Sequence, residues 1–150
     1  MRIRKLLVPF TAAACWQSAL LTGFDLDAVR QQANPEKRSE MALANADTAL
    51  DRARDAYEKG DGRAFQSSLV EVDESIVLCK ESLDESGKNA RRRPKYFKKA
   101  EIGIRRLIRR LDNFRVEVSV DDRHMVEPVH TRAQKLQEEI LHAIMGKKNN

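Results

Sequence analysis

The chain is poor in the residues that build disulfide-stapled, β-rich or low-complexity proteins. Its 150 residues include two Cys, four Pro, six Gly, one Trp, two Tyr and five Phe. Two cysteines cannot make a disulfide framework. Cys15 falls in an apolar N-terminal run, which leaves Cys79 alone in the body, on an apolar stripe where it reads as a small buried hydrophobe. So few Gly and Pro exclude a collagen-like or low-complexity chain. So few aromatics leave almost no stacking platform for single-stranded nucleic acid, which disfavours that partner. There is no Gly-rich phosphate loop after a strand, no nucleophile elbow, no Cys-x-x-Cys-His and no Cys/His pairing. Nothing argues for catalysis, and a non-enzymatic protein is expected.

Charge, by contrast, is abundant. Charged residues make up 34% of the chain, which suits long solvated helices around an aliphatic core. The first residues hold Arg2, Arg4 and Lys5, followed by 19 residues from Leu6 to Phe24 without a charge. A cationic start before an apolar run is the pattern of a secretory signal. The positive charges would stay inside, so the remainder is expected on the far side of the membrane, in a bacterial periplasm or envelope. Three fates are open for segment 1–24. It is cleaved near Ala12–Ala14 or after Thr22-Gly23, retained as an anchor, or lipidated at Cys15, where Ala-Ala-Ala-Cys resembles a bacterial lipobox without its usual Leu or Val. Residues 25–34 read as a linker or an extra helical turn, and 147–150 as a polar tail.

Between these ends, four segments repeat apolar residues at alternating spacings of three and four, which places them on one seam of a helix. Ala42, Ala46, Ala49, Ala53 and Ala56 mark the first, flanked by Leu43, Leu50 and Tyr57. Phe65, Leu69, Val72, Ile76, Cys79 and Leu83 mark the second. The third holds Phe97, Ala100, Ile104, Leu107, Leu111, Phe114 and Val118, and the fourth Val126, Val129, Ala133, Leu136, Ile140 and Ala143. Helices are predicted over about 35–59, 63–86, 94–118 and 120–146.

The punctuation agrees. Asn34-Pro35 supplies an N-cap and a proline at the first helical position. Gly60-Asp61-Gly62 closes one helix and opens the next. Gly87 and Gly146 end the second and fourth helices, and Ser119 with Asp122 forms a capping-box pattern. Short connections imply antiparallel neighbours, so the expected fold is all-α: an up-down-up-down four-helix bundle preceded by the hydrophobic segment. Two places resist. Val116–Val120 alternates like a strand but has no partner run, and Pro128 predicts a kink, a ragged turn across 117–128, or a helix starting near Glu127.

Cations are unevenly spread. From Lys88 to Arg110 there are eleven against the single acid Glu101, whereas Arg63–Ser86 has two cations and six acids. In one reading the basic helix lies between acidic neighbours and the charges set register, each exposed pair contributing at most about 1 kcal/mol. In the other, Arg91, Arg92, Arg93, Lys95, Lys98 and Lys99 beside Tyr96 form a surface for an anionic partner: an acidic protein, an anionic lipid or an envelope polymer. A homo-oligomer is also open.

A metal- or haem-binding bundle is the rival. Glu127-x-x-His130 and Glu139-x-x-His142 have di-iron carboxylate spacing, but both lie on one helix and the site needs two. Met41 or Met125 opposite an inward histidine would be needed for haem, and only His130 borders the seam. No cofactor or metal is expected.

The segment ARDAYEKGDGRAFQSSL (53–69) resembles the helical hairpin of a tetratricopeptide repeat, although Tyr57 to Gly60 is one residue short of the usual spacing. No second copy follows near 34 residues, and such repeats need three units to be stable, so the likeness reads as convergent hairpin chemistry. The plan also resembles small periplasmic bundles of the cytochrome b562 type, without their ligands.

Overall fold

The computed structural model describes residues 25–146. Segment 1–24, with Cys15 and the export pattern, lies outside the described residues, as does the tail 147–150. Five helices occur among the described residues: α1 (Leu26–Arg30), α2 (Pro35–Glu58), α3 (Gly62–Glu85), α4 (Lys95–Glu117) and α5 (Arg123–Met145). There is no strand among the described residues, and Val116 belongs to α4.

The helix ends follow from local chemistry. Asn34 Oδ1 accepts from the N–H groups of Glu36 (2.9 Å) and Lys37 (3.2 Å), with Pro35 at the first position. At the α2–α3 turn, Gly60 has φ +70°. The Asp61 N–H reaches back to the Ala56 carbonyl (2.9 Å) and the Gly60 N–H to that of Tyr57 (3.0 Å), a Schellman closure. Asp61 Oδ1 then accepts from the Ala64 N–H (3.0 Å) and opens α3. One carboxylate-bearing residue thus serves both helices.

One core joins all five helices. The alanine seam of α2 is buried, and α2 packs more extensively against α3 than any other pair of helices does. Small side chains allow that close approach. Residues 25–34, readable as linker or helix, contain α1, whose Leu26 and Val29 are buried against α2 and α3.

The ion pairs fix directions. Arg52–Glu71 and Arg38–Glu85 run antiparallel between α2 and α3, as Arg115–Glu127 and Asp112–His130 do between α4 and α5. Between the hairpins the numbers rise together: Glu40–Lys99, Asp47–Arg106, Asp51–Arg110 and Arg54–Glu117 for α2 and α4, Asp73–Arg132 and Lys80–Glu139 for α3 and α5. The expected antiparallel packing therefore holds within each hairpin, whereas helices facing each other across the hairpins run parallel. The reason is the connection 86–94, which is long enough to cross the end of the molecule instead of turning tightly back.

The doubtful stretch 117–128 holds a short turn, 118–122, between the last residue of α4 and the first turns of α5. Helix α5 begins at Arg123, not at residue 120 or near Glu127, and runs through Pro128. Asp122 makes no side-chain cap. Instead Ser119 Oγ donates to Asp122 Oδ2 (2.7 Å) and accepts from the Asp122 N–H (3.2 Å). Tyr57 completes the turn: its hydroxyl accepts from the Ser119 N–H (2.7 Å) and donates to Asp122 Oδ2 (3.2 Å).

Candidate functional site: a basic end

The α3–α4 connection, the start of α4 and the end of α5 meet at one end of the molecule. Gly87 ends α3 with φ +60°. Asn89 then organises the loop, its Oδ1 accepting from the N–H groups of Arg91 (3.0 Å) and Arg92 (3.2 Å), and its carbonyl from those of Arg92 (3.1 Å) and Arg93 (2.9 Å). Ala90 is buried beneath, so the three arginines are held on an anchored turn. Pro94 starts α4 without a side-chain cap, and no acid stands in the first turn.

The seven residues singled out in this segment separate into two groups. Lys99 is matched by Glu40 at 2.8 Å. Tyr96 is half-buried, with Lys88 Nζ 4.7 Å and Lys95 Nζ 5.8 Å from its ring centre. Glu36, beneath it, is buried and pairs with Lys88. Burial pushes the Glu36 carboxyl up, but the Lys88 and Tyr96 donors outweigh this and hold it below its ordinary value. The same contact with Glu36 raises the Tyr96 phenol. Arg91 lies against the end of α5: a Cβ on Gly146 would overlap its guanidinium. A cation there complements the helix C-terminus. That leaves Arg92, Arg93, Lys95 and Lys98, all exposed and without an ion-pair partner among the described residues. A shallow hollow of about 560 Å³ beside them is lined by Lys88, Asn89, Arg91, Phe97 and His142, with Asp84 as its acid.

Further along α4 the charges are mostly matched. Arg105 pairs with Glu101 (3.3 Å), Arg106 with Asp47 (2.6 Å), Arg110 with Asp47 (2.8 Å) and Asp51, and Arg115 with Glu127 (3.2 Å). The acids across from α4 come mostly from α2, with Glu127 from α5. Five of the six acids of α3 are taken by Arg30, Arg38, Arg52, Lys80 and Arg132, and Glu81 has no pair among the described residues. Arg109 is exposed and has no pair among the described residues; its place on the outward face of α4 was legible, but its lack of an acid was not.

The residues of the metal reading do not converge. Glu127, Glu139 and His142 are exposed, while His130 is buried with Nε2 2.8 Å from Asp112 Oδ1. That approach is ion-pair close but off the angle of a hydrogen bond, and Nδ1 has no partner. No group of three or more His, Cys, Asp or Glu able to hold a metal occurs among the described residues. Cys79 is buried, which pushes its thiol up to about 12. No described helix is long and apolar enough to cross a membrane.

The class defined so far is an all-helical protein with one basic end. Comparison with protein families, with curated proteins and with solved structures finds no match for the chain.

Proposed function

We propose that this chain is an exported, non-enzymatic helical protein of the bacterial envelope that binds an anionic partner through its basic end. The observation that carries the reading is the contrast along one segment. Most cations further along α4 pair with acids, while Arg92 and Arg93 in the loop before it and Lys95 and Lys98 in its first turn make no ion pair among the described residues. Cations at a helix N-terminus oppose the macrodipole, at a cost of about 0.3–1 kcal/mol each. Of the four long helices only α2 has an acid in its first turn, Glu36, and the start of α4 adds a cluster of cations to that lack. Unpaired like charges held together without a gain in stability are where function can override it.

Export is supported by Arg2, Arg4 and Lys5 ahead of the uncharged run 6–24. In this reading the four long helices alternate up, down, up, down, with a crossing connection that doubles as the binding loop. The test is retention on immobilised heparin, a generic polyanion, with wild type compared against Arg92→Ala/Arg93→Ala/Lys95→Ala/Lys98→Ala. The variant is expected to elute at clearly lower salt with a melting temperature no lower than that of the wild type. Equal elution would remove the basic end as the contact.

A further inference from the structure

The exposed basic surface continues beyond the loop along the outward ridge of α4. Lys95, Lys98, Ile102, Arg105, Arg109, Asp112 and Val116 follow three- and four-residue steps on the side away from the buried series Phe97–Phe114. Ile102 is 57% exposed and Val116 74%. Lys95, Lys98 and Arg109 have no ion pair among the described residues, and the exposed Arg92 and Arg93 lie in the loop just before α4. Of the acids of α4, Asp112 stands on the ridge between Arg109 and Val116, turned toward Arg115 and His130, and Glu101 and Glu117 lie off it. Helices α2 and α5 flank α4, and α1 docks on α2 and α3, so nothing among the described residues covers it. The rise from Lys95 to Arg109 is about 21 Å.

We infer that this ridge rests on an anionic lipid bilayer, with Ile102 set among the headgroups between the cations. The inference rests on the reading that the basic end binds anions, and it names the anion. Shape favours a bilayer: a line of outermost side chains on a convex helix meets a plane along its whole length. A flexible polyanion gains more from a groove. Composition favours it too, because an exposed aliphatic side chain among cations gains nothing from a hydrated polymer. At a lipid interface its burial is favourable, while Lys and Arg stems reach out to the phosphates.

The test is co-sedimentation of the full chain with vesicles of phosphatidylcholine alone and of phosphatidylcholine with roughly a third phosphatidylglycerol. The neutral vesicles report any contribution of the apolar segment 6–24, and heparin serves as the soluble polyanion. Lys95→Gln/Lys98→Gln/Arg109→Gln is expected to weaken binding to the anionic vesicles by on the order of a hundredfold, about fivefold per cation, without change on neutral ones. Ile102→Ser is expected to cost roughly fivefold on anionic vesicles and nothing on heparin. If Ile102→Ser has no effect on vesicles, or an equal effect on heparin, the bilayer is overturned while anion binding stands. If the chain binds neither anionic vesicles nor heparin, both fail together.

Discussion

Tyr57 holds two turns together. Its ring packs on Phe65 (5.2 Å between centres) and Phe114 (6.1 Å), and its hydroxyl bonds Ser119 and Asp122 on the other hairpin. Tyr57→Phe keeps the ring and removes both hydrogen bonds, so a loss of about 1–2 kcal/mol is expected in urea unfolding. Ala49 stands for the seam of α2 and is fully buried. Ala49→Leu is expected to cost about 1–3 kcal/mol by overpacking, and an unchanged thermal midpoint would contradict the close packing of α2 on its neighbours. Both residues were legible in the sequence as members of a stripe. The second role of Tyr57 was not, because a tyrosine at a heptad position carries no sign of what its hydroxyl will meet 62 residues later.

Among the elements, the four long helices and most of their ends could be read directly, since apolar spacing fixes the buried face and Asn34, Asp61 and the glycines fix the caps. The start of α5 could not, because Ser119 and Asp122 form the same pairing whether they cap a helix or clasp a turn. Nor could the neighbour of α4: stripes say which face is buried, not against what. The register of Asp47 and Asp51 with Arg106 and Arg110 supplies the answer only once both helices are placed. The join between the loop and α2 is expected to respond to pH. Glu36 is held below its ordinary value in the folded chain, so its contribution is present above the ordinary carboxylate range and fades as pH falls through the lowered value. Tyr96 is raised, so its part is present below the ordinary phenol range and fades as pH climbs through the raised value. Glu36→Gln is expected to flatten the acid limb of a stability-against-pH profile measured by urea unfolding, and an unchanged limb would remove the Lys88–Glu36–Tyr96 cluster as its source.

For the whole molecule, the sequence pointed to a basic segment, and the structure divides it. Lys99 and Arg91 serve the fold, Tyr96 belongs to the cluster with Glu36, and Arg92, Arg93, Lys95 and Lys98 are left without an ion pair among the described residues. That division was not legible because pairing depends on which acids face α4, and those come from α2, about 50–60 residues away in sequence. The most direct test is the salt dependence of anionic-vesicle binding by the wild-type chain and by Arg92→Ala/Arg93→Ala/Lys95→Ala/Lys98→Ala. Wild-type affinity is expected to fall steeply as salt shortens the screening length from about 10 Å at 0.1 M toward 3 Å at 1 M, and the variant is expected to bind weakly with a shallow slope. Wild-type binding that is indifferent to salt, or a variant that keeps the wild-type slope, would contradict the account.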